Sequence, residues 1–328
     1  MKLPWIAFLA YIVTVYAASS QVLNGSLAVA ESHLPYQPPH SNLSRHDRYR
    51  CGNSPHNRSA WCHGFDINTD YEYFAPPTGN VREYWLTVGE YILAPDGFPR
   101  PVMAVNGTIP GPTIYADWGD WVVIHVFNNM TQTQNGSTIH WHGIRQHYTN
   151  QYDGVPAITQ CPIHPGTSMT YKWRATQYGT AWYHSHIGLQ AWEGVFGGII
   201  INGPATANYD EDKGMVTLSD WDHSTMSSLY ESMQSEGPQG LDNALINGTM
   251  MFPNSTTGPG HYFNMSVKEN STYRLRLVNA AVDEGFMFSI DNHTLTVISM
   301  DLVPIQPFTT ENITITMGPS KSIFSSLK

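Results

Sequence analysis

The chain has 328 residues, 41% of them apolar, enough for two medium-sized domains with cores of their own, which excludes a small scaffold held together by disulfides. Lys and Arg number 16 against 26 Asp and Glu, and the resulting net charge of -10 repels phosphate backbones and anionic bilayers. Neither nucleic acid nor a membrane is therefore an expected partner.

Residues 1–17 read as a secretory signal peptide. Met1 and Lys2 precede the apolar run "WIAFLAYIVTVYA", in which Val15 and Ala17 are the small residues before a cleavage point. The run is too short and too weakly flanked for a comfortable bilayer span. Residues 18–50, including "SHLPYQPPHSNLS", are polar and proline-rich without a sustained period and read as an N-terminal arm. Twelve Asn-X-Ser/Thr sequons run from Asn24 to Asn312. Behind a signal peptide they point to a secreted, extracellular glycoprotein. Secretion permits disulfides, yet the cysteines are three, Cys51, Cys62 and Cys161. The odd count gives one near pair, Cys51 with Cys62, and one thiol whose partner lies elsewhere.

From Cys51 onward, short β-branched and aromatic runs alternate with turn residues. "REYWLTV" precedes "APDGFPR", "VMAVNGTIPGPTIYA" precedes "DWGD", and "WVVIHVF" precedes "NNMTQTQNGS". This is the punctuation of antiparallel β-sandwiches. The prolines, glycines and acids of "IINGPATANYDEDKG" mark a boundary near residue 205. A second series of expected strands follows: "MVTLSDW", "ALINGTM", "YFNMSV", "TYRLRLVNAA", "FMFSID" and "LTVISMD". "STMSSLYESMQSEG" reads as either a short helix or a loop. The expectation is an all-β chain with one domain over 51–205 and a second over 206–328.

Within the first series, "IHWHG" and "WYHSH" each set two histidines one residue apart. On a strand, His140 and His142 face one way and Trp141 the other, and the same holds for His184 and His186 around Ser185. Side by side, two such strands present four imidazoles to one small volume. Neutral imidazole suits copper, zinc, iron and nickel. A lone pair of this kind is as readily two surface histidines; two pairs, both beside Trp and both followed by Gly within two residues, favour a metal site. His125, His147, His164, His223, His261 and His293 lack this pattern and stay unassigned.

In order along the chain, "NGSTIHWHGIRQ", "YDGVPAITQCPI", "TYKW", "TQYGTAWYHSH", "GVFGGIIINGPA", "LSDWDH", "LINGT", "YRLRLVNAAVD", "FSIDNHTLTVI" and "DLVPIQPFTT" resemble the multicopper oxidases, in particular laccases of the ascomycete type. The resemblance covers most of residues 51 to about 317. It implies tandem cupredoxin-like Greek-key β-sandwich domains and a one-electron oxidation of phenolic or related donors coupled to reduction of dioxygen to water. By that resemblance His140 matches a ligand of the type 2 copper, and His142, His184 and His186 match ligands of the type 3 pair. Asp153, in "YDGVP", matches an acid beside the copper cluster that helps deliver protons; as plain sequence it is equally an Asp-Gly turn. Asp283, in "VNAAVDEGF", matches a carboxylate that reaches the donor pocket, where a solvated loop acid is the plainer reading.

The family's type 1 copper takes a cysteine between two histidines in a third domain, and no cysteine of these 328 residues stands so. Cys161 matches a cysteine that the family ties to the far C-terminal part of the chain. Cys62 stands two places after the family's position for the second cysteine, here Ala60. After "ENITITMG" the family continues with Gly-Gln-Arg-Tyr-Asp, whereas this sequence runs "PSKSIFSSLK". The expectation is an N-terminal portion of such an oxidase, with the third domain absent and the second lacking strands and exposing sheet edges. The alternative is a catalytically inactive secreted copper-binding glycoprotein or truncated remnant. A further possibility is completion of the copper cluster by subunit assembly. The 328-residue chain supplied with copper is expected to show no thiolate-to-copper absorption in the visible; a strong band there would show that a cysteine has been misread.

Overall fold

A computed structural model describes residues 51–237, 240–252, 258, 260–318 and 320–327, the last stretch in its backbone path only. The expected signal peptide and arm lie outside the described residues. Eight strands come first: β1(Val81–Leu93), β2(Arg100–Val105), β3(Gly111–Asp117), β4(Trp121–Asn128), β5(Ile139–His142), β6(Ser168–Arg174), β7(Gly179–Ser185) and β8(Phe196–Asn202). They form two sheets, ordered β2-β1-β4-β6 and β3-β8-β7-β5. β1 runs parallel to β4 and β3 parallel to β8, so both pairings need crossovers in place of simple hairpins. β4 shows why these residues make strands. Val122, Ile124 and Val126 are fully buried while the alternate Trp121, Val123 and His125 are only partly so, the period-2 pattern of a sheet with one face in a core. That core holds Trp118, Trp141, Trp173, Tyr171 and Tyr183.

The second series gives β9(Glu211–Trp221), β10(Asn243–Ile246), β11(Ser271–Asn279), β12(Phe286–Ser289), β13(Leu295–Met300), β14(Val303–Thr310), β15(Asn312–Ile315) and β16(Ser320–Leu327). Six of them form a sheet ordered β10-β9-β11-β16-β13-β14, and β12 pairs with β15. A separate core of Val216, Leu218, Leu275, Leu277, Leu295, Val297, Ile313 and Ile315 lies in this half. Among the described residues two α-helices interrupt the strands, α1(Gln190–Glu193) and α2(Met226–Glu236). The second resolves the helix-or-loop ambiguity at residues 224–237. The Thr225 side chain accepts a hydrogen bond from the Ser228 amide at 3.3 Å as N-cap, and Gly237 ends the helix.

Two expectations need correction. "YFNMSV" joins no ladder; Phe263 and Met265 are half-buried, Met265 against the second core, so alternation here reports burial without strand pairing. The final segment does not leave its sheet short at that place. β16 lies between β11 and β13, antiparallel to both, its backbone groups completing the ladder on each side. The sheet's edges are β10 and β14.

The two halves meet through apolar contacts and hydrogen bonds from a buried ion pair. Trp182 and Phe196 pack with Val278 and Ala280. Arg276, 1% exposed, donates through Nη1 to the Gly179 carbonyl at 3.1 Å and to Thr180 Oγ1 at 3.0 Å, while its Nη2 reaches Asp212 at 2.7 Å. Burial pushes the Asp212 carboxyl up, but the Arg276 and Arg274 guanidiniums and the hydrogen bonds from Arg276 and the Gly214 amide outweigh it and hold the group below its ordinary value. A carboxylate depressed in the folded state stabilises it above the unfolded pKa of about 3.9 and loses that contribution as pH falls through the folded value. Asp212→Asn is therefore expected to lower unfolding free energy by about 3 kcal/mol at neutral pH, with the gap to wild type closing below about pH 4. Denaturant titration at several pH values tests this, and a gap independent of pH would contradict the ion pair.

Candidate metal centre

β5 and β7 pair antiparallel, with Ile139 opposite Ser185, His140 opposite His184, and His142 opposite Trp182. Strand alternation turns Trp141, Tyr183 and Ser185 inward, all buried, and leaves His140, His142 and His184 half-buried on the other face. His186, just past the end of β7, is exposed. The ring centre of His140 lies 5.7 Å from His142, 5.4 Å from His184 and 5.5 Å from His186. One ring nitrogen from each of His140, His142 and His184 lies within 4.8 Å of the others. His184 Nε2 and His142 Nδ1 are 3.4 Å apart, close enough for one ion at roughly 2 Å from each.

The hydrogen bonds set which nitrogens are free. His140 Nδ1 donates to the Asp153 carbonyl at 2.8 Å, and His184 Nδ1 to the Ser185 carbonyl at 2.9 Å. A carbonyl only accepts, so both rings carry their proton on Nδ1 and keep a lone pair on Nε2. Burial pushes His184 down to about 3, helped by its His140, His142 and His186 neighbours and opposed by the bond to Ser185. Burial and His140 also lower His142, against Asp301 and Asp153. These two imidazoles are neutral at physiological pH, the form that binds metal. Convergent neutral imidazoles at these separations fit a copper ion.

The loop after β5 completes the surroundings. Asp153 caps a short turn over Asn150–Tyr152, with its Oδ1 3.3 Å from His140 Nδ1. Gly154 makes that approach possible: its φ is +84°, and a Cβ there would stand 1.8 Å from the Ile139 carbonyl oxygen. Trp182 tilts against His184 with centroids 4.3 Å apart, and its Nε1 donates to the Gly318 carbonyl at 3.1 Å. The second half of the chain thus contributes to the wall.

The structure brings together His140, His142, His184, His186 and Asp153. Asp283 is not in that group. It is exposed, and its backbone amide, with those of Val282 and Glu284, donates to the Asp220 carboxylate. It lines a cleft of about 420 Å³ with Leu189, Met226, Leu229, Tyr230 and Met233. Sequence reasoning noted Trp182 as a neighbour of the second histidine pair but not its cover over His184, and it passed over Asp220, whose signal was an acid at the end of an expected strand. The unassigned His223 is held by Asp96 and Asp242, and His125 by Glu83 and Thr170. Cys51 is bonded to Cys62, and Cys161 is a free, exposed thiol.

Two cupredoxin-like sandwiches, the first carrying a cluster of imidazoles, define the chain as an all-β protein of the copper-oxidase type. Sequence models of the multicopper oxidase family match residues 87–206 and 211–327. Laccase-2 of Botryotinia fuckeliana is 50% identical over 274 residues, 82% of this chain and 47% of that protein. A laccase of Neurospora crassa is 47% identical over 81% of this chain and 43% of its own length. Among solved structures, the laccase from Botrytis aclada superposes with a TM-score of 0.81 at 48% identity, covering 84% of this chain and 52% of that one. Fet3p, a multicopper oxidase that functions in iron import, gives a TM-score of 0.68 at 31% identity over 76% of this chain and 46% of its own.

The chain belongs to the multicopper oxidase family. It spans about half the length of the curated relatives it matches. No helix among the described residues is long and apolar enough to cross a membrane.

Gly154→Ala is expected to destabilise the fold by at least about 1 kcal/mol, because Ala resists the positive φ, and to weaken metal binding by displacing the Asp153 carbonyl from His140. Thermal unfolding together with a metal titration checks both, and unchanged affinity would separate that loop from the centre.

Proposed function

We propose that His140, His142, His184 and His186 hold copper, His140 on the type 2 side and the other three on the type 3 side, and that the protein acts in laccase-like one-electron oxidation of phenolic or related small-molecule donors with dioxygen as acceptor. The observation that carries this reading is the convergence of three imidazole nitrogens within 4.8 Å, two of the rings being driven toward the neutral form by burial. Bound copper would supply single-electron redox chemistry between an organic donor and dioxygen. The protein's own groups fix the ligands and move protons. The Asp153 and Ser185 carbonyls hold the His140 and His184 rings with Nε2 free. Asp153 passes protons toward the oxygen being reduced, a role supported by the 3.3 Å between its Oδ1 and His140 Nδ1. The Asp283 carboxylate, at its separate cleft, accepts the phenolic proton as the electron leaves, which avoids a radical cation.

We further infer that residues 51–205 and 206–328 are the two domains, and that the sequons and the segment 1–17 take the chain through a secretory route. A second reading, copper binding without turnover, rests on the same imidazole cluster, which can hold an ion whether or not electrons pass through it.

Copper content and phenol-dependent dioxygen uptake of the full chain separate the two readings. Uptake with several coppers per chain supports oxidase action, and copper without uptake supports the second reading. His184→Ala combined with His186→Ala is expected to abolish copper binding in either case; an unchanged copper stoichiometry would refute the placement of the ligands.

A further inference from the structure

The ladder that carries the histidines is slight. β5 and β7 share four paired positions, and β5 lies at the edge of its sheet with β7 as its only neighbour there. A slip of one residue would turn His140 and His142 to the opposite face and destroy the cluster. Burial of Trp141 and Tyr183 on the core face opposes such a slip, and a contact beyond the ladder's end adds to it. Gln190, the first residue of α1 and 5% exposed, stands at that place.

Its carboxamide is engaged on both sides. Oε1 accepts from the Ser185 hydroxyl at 2.7 Å and from the Ser137 hydroxyl at 3.0 Å, and Nε2 donates to the Gly136 carbonyl at 2.9 Å. Ser185 lies between His184 and His186. Gly136 and Ser137 lead into the strand that carries His140 and His142. Ser185 Oγ also accepts from the Ile187 amide at 3.2 Å, which ties the turn after His186 to the same point. Ser137 and Ser185 are 0% and 2% exposed, so removing the shared acceptor would leave two buried hydroxyls short of a partner.

We propose that Gln190 is a positioning residue for the metal centre: its carboxamide locks β5 against β7 in the register that makes His140, His142, His184 and His186 converge. The inference rests on the copper reading given above. Gln190 acts through Ser185 and the backbone at 136–137, and it does not itself serve as a ligand.

The test compares the full wild-type chain with Gln190→Leu, which keeps comparable bulk but no hydrogen bonds, and with Ser137→Ala, which removes one. Three quantities are read: the Cu(II) dissociation constant by competition with a chelator, the nitrogen hyperfine pattern in the electron paramagnetic resonance spectrum, and amide hydrogen exchange over residues 136–142 in metal-free protein. Gln190→Leu is expected to weaken copper binding roughly 10- to 100-fold, change the nitrogen pattern and speed exchange in that segment, with Ser137→Ala changing each in the same direction by less. Should Gln190→Leu not fold, Ser137→Ala carries the test by the same readings. A folded variant with wild-type affinity, spectrum and exchange overturns the positioning role. Wild-type protein that takes up no copper, while exchange at 136–142 still responds to Gln190→Leu, overturns the copper reading and supports the strand lock.

Discussion

The antiparallel pairing of β5 with β7 is the constraint on which the centre depends. Because successive side chains point to opposite faces, one register has to satisfy two solvents at once. Trp141 and Tyr183, fully buried, anchor the strands in the first core, and His140, His142 and His184 emerge on the other side. The aromatic face supplies most of the free energy that holds the strands, since rings of this size bury 150–250 Å² each. The imidazoles add little to stability and owe their positions to that packing. A histidine cluster without this backing would sit on a mobile sheet edge.

Burial then sets the chemical state of the centre. A buried imidazole resists protonation, and a cluster resists it further because each added charge opposes the next. His184 shows both effects, being pushed down to about 3 by burial with its histidine neighbours adding to the shift. The cost of keeping these groups dry is met partly by the second half of the chain, which provides no imidazole to the cluster. Gly318 accepts from Trp182, whose ring covers His184, and Arg276 bridges Asp212 to the Gly179 carbonyl at the start of β7. The interface between the halves is in this sense part of the site.

Much of this was legible in the residues. The two His-X-His stretches announced their shared face, because alternation is a local property that any strand imposes, and the early runs such as "WVVIHVF" gave β4 closely. Other features had no local signature. "YFNMSV" has the composition of a strand but finds no partner, and β16, with no such alternation, has a partner on each side. Pairing is decided by which edges the rest of the fold leaves available. Gly154 reads as an ordinary Asp-Gly turn, yet its role follows from the nearby Ile139 carbonyl, fifteen residues earlier in the chain. Gln190 is invisible for the same reason, since its partners belong to two strands brought together only by tertiary structure.

The two acids singled out beside the histidines occupy unlike surroundings, and the contrast bears on how such a site could work. Asp153 is half-buried, with both its carbonyl and its carboxylate turned toward His140. Asp283 is exposed at the rim of an apolar cleft, its backbone amide already satisfied by Asp220. An acid beside a metal centre can influence the ligand field and local proton supply, whereas an acid at an apolar cleft can influence only what binds there. On the proposed reading, donor oxidation and dioxygen reduction each need proton management, one releasing protons and the other consuming them. Separate carboxylates let each site handle its own protons, the one beside the histidines and the other beside the bound donor.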